Sequence, residues 1–390
     1  MRKLAIILAA ALTACTTVAE APLSMRVVES EMQRNPEASY IDGLEGKLKW
    51  NYTTGLELKA MLDVYEISRQ ARNDTILDYV DAWYDAVIDS TGHIYKYRKS
   101  NQSLDHICPG RTLFQLYELT GKEKYRMAMD TLYAQLQSQP RTKEGGFWHK
   151  KIYPEQMWLD GLYMGAPFYA EYTARYVPDS LRQANFEDIV HQFTLIYDKT
   201  LDTKTGLLRH AWDSSHQMFW CNPDTGQSAH AWGRAMGWYA MALVEVIPTV
   251  PDNEALMDIF NKVMDSIMPY ADKASGMWYQ VLDCPGREGN YLEATCSAMF
   301  VYAMLKGTRL GLLKNITADV ARAKYASLLE TFVTADEDSL VNLNYCCEVA
   351  GLGGKDNRSG DYEYYINEPV RANDPKGIGP LIWAALEMEK

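Results

Sequence analysis

An acid set among apolar and aromatic neighbours is the first feature of this sequence that could do chemistry. Asp160 lies in Gln156-Met157-Trp158-Leu159-Asp160-Gly161, with Tyr163 two residues further on. The apolar spacing around it predicts a helix over Glu155–Tyr176, with Asp160 one turn in. Desolvation disfavours the charged carboxylate and raises its pKa, which a general acid near neutral pH requires. The competing reading is a structural Asp bonding to backbone groups near a helix start. A second acid, Asp105, stands in Ser103-Leu104-Asp105-His106, ahead of Pro109-Gly110. It reads either as a helix cap or as the partner carboxylate that sugar hydrolysis uses.

Leu207-Leu208-Arg209-His210-Ala211-Trp212-Asp213 leads to Ala231-Trp232-Gly233-Arg234-Ala235-Met236-Gly237-Trp238. On a continuous helix Trp232 and Arg234 would point apart. With Trp232 at a loop-to-helix junction and Gly233 easing the turn, both can face a cleft. An Arg between two Trp can stack on one ring and fork onto a carboxylate. Alternatively Arg234 bonds to loop carbonyls while Trp232 and Trp238 fill the core. Two further candidates are His149, in Gly145-Gly146-Phe147-Trp148-His149, and Tyr52, in Trp50-Asn51-Tyr52. No Gly-x-Ser-x-Gly elbow, phosphate loop or dinucleotide fingerprint stands out. No Cys-x-x-Cys or His-x-x-x-His cluster suggests a zinc site.

Helices must position these side chains. Apolar residues recur at spacings of three and four over Thr54–Ala71, Thr75–Asp89, Arg111–Leu119, Lys122–Gln137 and Ser180–Thr200. The pattern continues over Ala231–Ile247, Asn253–Ala271, Leu292–Gly307, Ala318–Thr334 and Ile378–Glu389. Period-two strand patterns are scarce, so the chain reads as all-α. Long loops rich in Trp, His, Gly and Asp separate the helices, at 142–154, 201–230 and 276–290. Long ordered loops on a helical scaffold usually carry function. Stacked hairpins bury their faces in an open solenoid or a closed ring. A ring of about six hairpins fits the count.

Composition sets the remaining bounds. The chain has 390 residues, 47% of them hydrophobic, which supplies a large core. Its 26 Tyr and 10 Trp against 9 Phe suit sugar binding, because each ring carries an apolar face and a polar handle, but they also suit a wide core. A net charge of −12 disfavours nucleic acid as a partner. Arg2 and Lys3, the apolar run Leu4–Ala11 and Leu12-Thr13-Ala14-Cys15 read as a signal peptide over residues 1–15. Cys15 resembles the acylated cysteine of a bacterial lipobox; an ordinary cleaved signal is the alternative. The expected product is exported, periplasmic or membrane-anchored. Residues 16–40 read as a tether, and 41–390 as one catalytic domain. The other six cysteines allow 15 pairings or none.

Taken in order along the chain, these segments resemble glycoside hydrolase family 105, the unsaturated rhamnogalacturonyl hydrolases. The matching pieces are Trp50-Asn51-Tyr52, Leu104-Asp105, Gly146-Phe147-Trp148-His149, Gln156 to Gly161, His210-Ala211-Trp212-Asp213, Trp232 to Trp238 and Asp374 to Pro380. The resemblance implies an (α/α)6 barrel and hydrolysis of Δ4,5-unsaturated uronic acids from the ends of lyase-generated oligosaccharides. It implies that Asp160 protonates C4 of the enol ether, after which water adds at C5 and the resulting hemiketal opens to release the neighbouring sugar. It places Asp105 as the second carboxylate, and His149, His210, Trp232, Arg234, Trp238 and Tyr52 around the pocket. It implies no metal or organic cofactor. The leaving sugar stays open. Rival readings are an unsaturated glucuronyl hydrolase acting on glycosaminoglycan fragments, a non-catalytic glycan-binding lipoprotein, and another (α/α)6 enzyme such as a mannanase or lyase.

Overall fold

The computed structural model describes residues 21–68, 74–251 and 253–390. The signal-peptide and lipobox readings, Cys15 included, lie outside the described residues. Thirteen α-helices follow one another among the described residues: α1 (Leu23–Arg34), α2 (Tyr52–Ser68), α3 (Thr75–Val87), α4 (Arg111–Thr120), α5 (Glu123–Leu136), α6 (Leu159–Tyr176) and α7 (Asp179–Thr200). Then come α8 (Gly233–Val246), α9 (Glu254–Ile267), α10 (Ala294–Arg309), α11 (Ala318–Phe332), the short α12 (Tyr362–Ile366) and α13 (Pro375–Glu389).

Helices α2, α4, α6, α8, α10 and α13 form the inner ring, closed where α13 packs on α2. Each is backed by an outer helix: α3, α5, α7, α9, α11 and, behind α13, α1. This is the (α/α)6 barrel. The inner helices are apolar nearly all round because they touch neighbours on every side. Gly233 and Gly237 let α8 approach α10: a Cβ would meet Cys296 Sγ at 2.9 Å from the first and Met299 Sδ at 2.8 Å from the second.

Two expectations need correction. The tether at 16–40 fails from residue 23 onward, because α1 is the twelfth barrel helix. Val27 and Val28 are wholly buried, and Ser24 donates its N–H and hydroxyl to the Glu389 carboxylate at 3.0 and 2.5 Å. The barrel domain therefore begins before residue 41. The helix expected over Glu155–Tyr176 starts late. Glu155 has φ +61°, and strand β1 (Gln156–Trp158) pairs antiparallel with β2 (Ala211–Asp213) before α6 begins. Asp160 is therefore the second residue of α6 rather than a turn inside it.

Four more short strands and several 3-10 turns, one of them Leu104–His106, lie among the described residues. β3 (Val333–Ala335) pairs with β4 (Val341–Leu343), and β5 (Cys346–Cys347) with β6 (Val370–Arg371). The segment between β5 and β6, which carries α12, forms a flap. All six cysteines in the described part of the chain are free thiols.

Candidate active site

The inner helices deliver their chemistry at one end. Tyr52, Asp160 and Arg234 sit in the first turn of α2, α6 and α8, and Asp105 just ahead of α4. Backbone pairing then ties the loops together. The β1–β2 ribbon sets Trp158 opposite Ala211, and Leu159 N–H donates to His210 C=O at 3.1 Å. Asp160 and His210 are thereby brought side by side, with Oδ2 to Nε2 at 3.2 Å. A second contact, between Ser103 and Lys150, brings His149 and Lys150 to Asp105.

Asp105 is the better-defined carboxylate electrostatically. Lys150 Nζ lies 2.5 Å from its Oδ2, and His149 Nε2 lies 3.3 Å from its Oδ1. Burial raises its pKa, but Lys150 and His149 outweigh burial and hold it below the usual carboxylate range. Burial also pushes His149 down to about 4, although Asp105 opposes this, so the imidazole is neutral near pH 7. The contact is then a neutral N–H on a carboxylate rather than an ion pair. His149 stacks on Trp158 at 4.7 Å between centroids, and Tyr153 stacks on the far face of that indole at 5.0 Å.

His210 is wholly buried. Its Nδ1 meets the Tyr365 hydroxyl of α12 at 2.8 Å, and its ring lies 4.8 Å from Trp232. Trp232 precedes α8 in extended conformation, the junction position expected of it. The Arg234 guanidinium packs over Trp232 at 4.9 Å, and its Nη1 donates to Cys347 C=O at 2.7 Å. Arg234 thus stacks on Trp232 and bonds a backbone carbonyl of β5, while Trp232 and Trp238 are both buried. Trp238 is buried between Tyr52 and Tyr163. Tyr52 is the half-buried ring at the centre. Burial, and next the negative charge of Asp105, keep its hydroxyl protonated, and it also senses Arg234 and Asp160. All eight residues singled out from the sequence in the described region thus gather at the same end of the barrel. Lys150 and Tyr365 join them, and neither was singled out.

Five polar atoms here are buried without a hydrogen-bond partner: Asp160 Oδ2, His210 Nε2, His149 Nδ1, and Arg234 Nε and Nη2. Asp160 and His210 are close enough to touch but out of line for a hydrogen bond. Orphaned buried polar atoms cost free energy, and such a cluster marks a site shaped for a polar ligand. Next to it an open pocket of about 380 Å3 runs past Tyr52, Asp105, His106, Trp50 and Lys49 to Glu348 and Val349. The arrangement offers two carboxyl groups, one of them held ionised, two imidazoles and a free guanidinium edge. Elsewhere, His230, Asp283 and Cys284 are close enough to share a metal ion. Arg209 Nη1, at 2.5 Å from Asp283 Oδ2, already supplies the positive charge there.

Comparison with known proteins agrees with this architecture. The family profile described as Glycosyl Hydrolase Family 88 matches residues 23–390. A glycoside hydrolase of family 105 from C. acetobutylicum ATCC 824 superposes with a TM-score of 0.87 at 44% identity, covering 94% of this chain and 99% of that one. The unsaturated rhamnogalacturonyl hydrolase YesR of Bacillus subtilis (strain 168) is 27% identical over 270 residues, 67% of this chain and 72% of its own length. An unsaturated glucuronyl hydrolase specific for heparin shares the fold at a TM-score of 0.66 and 14% identity, covering 94% of this chain and 95% of that one. The chain belongs to the Glycosyl Hydrolase Family 88 and 105 group of unsaturated uronyl hydrolases, and it is a glycoside hydrolase.

Proposed function

We propose that this enzyme removes Δ4,5-unsaturated uronic acid from the non-reducing end of unsaturated rhamnogalacturonan fragments, with Asp160 as the acid. Asp160 gives its proton to C4 of the enol ether, and positive charge develops at C5 and the ring oxygen. The ionised Asp105 stabilises that charge. The Asp160 carboxylate then takes a proton from the water that adds at C5. The hemiketal opens to a ketone, the ring is lost, and the neighbouring sugar leaves from C1. Arg234 Nη2 and Nε bind the uronate carboxylate as a fork. His210 Nε2 stands 3.2 Å from Asp160, and His149 Nε2 3.3 Å from Asp105. Trp232 and Trp238 wall the pocket, and Tyr52 meets the sugar ring.

The single observation that carries this reading is the cluster of five buried, unpartnered polar atoms around Asp160 and Arg234. A planar ring bearing a carboxylate and an enol ether would satisfy them. The choice of rhamnogalacturonan rests on the relatives and on the pocket's outer charges. Arg371 is paired with Asp42 and Asp374, and Lys376 with Asp374, which leaves little spare positive charge for a sulfated leaving sugar. Lys49 makes no ion pair among the described residues.

The test follows the ultraviolet absorbance of the conjugated double bond. Asp160→Asn is expected to fold and bind but to lose about 10²- to 10⁴-fold in kcat, the usual worth of a positioned acid. Wild-type turnover in this variant would sink the assignment. Faster cleavage of heparin- or chondroitin-derived disaccharides than of the rhamnose-linked one would move the enzyme to the glucuronyl group. We also propose, from Leu12-Thr13-Ala14-Cys15, that the enzyme is exported and anchored by an acylated Cys15. Mass spectrometry of the mature N-terminal peptide would then find a lipidated cysteine, and an unmodified downstream N-terminus would refute the anchor.

A further inference from the structure

The chain enters the barrel at its foot, the end opposite the candidate active site. The inner helices start at the mouth, so their last turns mark the foot. The last of them, α13, ends at Glu389, whose carboxylate accepts from the N–H and hydroxyl of Ser24 in the first turn of α1. Ala21 and Pro22, just ahead of α1, are exposed. Cys15 and Ala21 are six positions apart, a stretch that spans at most about 21 Å. Helix α13 has 15 residues and is itself about 22 Å long. The flap that carries Tyr365 to His210 lies beyond its mouth end. A tether this short lets a barrel held at Cys15 tilt, but it cannot run the length of the barrel and bring the mouth down onto the holding surface.

The foot also carries groups that fit a bilayer surface. A hollow of about 260 Å3 there has Lys59, Ile67, Lys306, Arg309, Glu387 and Lys390 in its lining. Leu310 follows Arg309 and Met388 follows Glu387, and both, like Ile67, are large exposed apolar side chains. The charges are layered. The Arg309 and Lys390 side chains stand 40% and 36% exposed, whereas that of Glu387, which pairs with both, is 3% exposed. The cations thus face outward and their carboxylate faces in. Cationic side chains that lie among exposed apolar ones reach phosphate groups while their neighbours meet the acyl boundary. Exposed acids share this end: Glu66 on the rim of the hollow, and Asp179 and Asp319 at the starts of outer helices. A mixture of both signs fits a zwitterionic headgroup, which offers a phosphate and an ammonium, better than a strongly anionic one.

We propose that the anchored enzyme stands foot down, with the surface around Ile67, Arg309, Leu310, Met388 and Lys390 resting on zwitterionic phospholipid headgroups and the mouth of the active site opening away from the membrane. The inference rests on the acylated Cys15 proposed above. The lipid supplies attachment, and the patch supplies orientation. Dissolved oligosaccharides then reach the pocket from the side away from the bilayer, so the anchored and the soluble enzyme turn over alike.

The test uses the full chain, made with its own leader in a bacterial host and reconstituted into phosphatidylethanolamine vesicles with a minority of phosphatidylglycerol. Sedimentation reads the anchor: wild type is expected to pellet with the vesicles and Cys15→Ser to stay in solution. A benzophenone amino acid placed at Leu310, or in a second protein at Phe219, reads the orientation. Phe219 is exposed in the loop that leads to α8 at the mouth. Lipid cross-links at Leu310 should exceed those at Phe219 by about tenfold or more, because the length of the barrel separates the two. Arg309→Gln with Lys390→Gln should lower the Leu310 yield about threefold or more and leave turnover unchanged. Vesicle-bound protein that cross-links equally at both positions, more at Phe219, or at neither, overturns the orientation and leaves the anchor standing. A Leu310 yield kept in the double variant overturns the headgroup contact. Wild type that stays in solution with Cys15 unacylated removes the anchor, and the orientation falls with it.

Discussion

Lys150 decides whether Asp105 is charged. Burial alone would favour the neutral acid, and the ammonium 2.5 Å away reverses that. Lys150→Met removes the main charge that opposes burial, so the Asp105 carboxyl rises. The proposed reaction needs Asp105 ionised. The acidic limb of the kcat/KM profile should therefore move to higher pH, with kcat at neutral pH down about tenfold or more. An unmoved acidic limb would show that Lys150 only fills space. The sequence hides this residue for a physical reason. A lysine in a polar loop reads as solvated until the contact between Ser103 and Lys150 carries it to Asp105. Tyr365 is hidden in the same way, because 155 positions separate it from the imidazole it orients. Asp160, Arg234 and the two histidines are legible because polar groups amid apolar and aromatic runs are anomalous wherever the chain folds.

At the scale of elements, the inner helices are legible because their apolar pattern is dense, whereas α1 is not. Its stripe is narrow, with Val27 and Val28 followed by Glu31, and Arg26 and Glu29 among the intervening polar residues. Only the gap behind α13 turns that sequence into the twelfth helix. The late start of α6 is equally tertiary, since nothing local announces that residues 156–158 pair with 211–213. The cost of docking α1 shows at Glu31. Burial pushes its carboxyl up to about 7, although Arg34 on its own helix opposes this. Asn35, just past the end of α1, donates to it, and its charge in turn helps to raise the buried carboxyl of Glu57 on α2. A folded value above the unfolded one means that stability is lost as pH rises from about 4.5 through about 7. Glu31→Gln should therefore flatten the fall in Tm between acidic and mildly alkaline buffer. Parallel curves for variant and wild type would show that Glu31 is not strained in the folded barrel.

The whole barrel is polarised along its axis. At one end, the inner helices present their N-termini and the candidate catalytic side chains, so the helix dipoles favour an anionic substrate on a protein of net charge −12. At the other end, a half-buried ion network centred on Glu245 of α8 lines a pocket at the foot of the barrel. Its carboxylate meets Arg111 of α4 and Lys306 of α10, each at 2.9 Å, and accepts from the Tyr302 hydroxyl. Arg111 also donates to the Tyr163 hydroxyl at 2.8 Å, and Tyr163 packs on Trp238 beneath the active site. Burial opposes the Glu245 charge, but Lys306 and Arg111 prevail and hold its carboxyl far below the usual range. Removing that charge leaves the buried Arg111 and the half-buried Lys306 without their carboxylate. Glu245→Gln should therefore cost about 3–5 kcal/mol of stability near neutral pH, read from denaturant melts. With a depressed folded pKa, the Glu245 contribution is complete above about 4.5 and fades as pH falls below it. The gap between variant and wild type should narrow in acid for that reason. Well below its melting temperature the variant should still turn over substrate, because the network lies beneath the chemistry. A variant as stable as wild type would mean that water reaches the foot of the barrel and screens these charges.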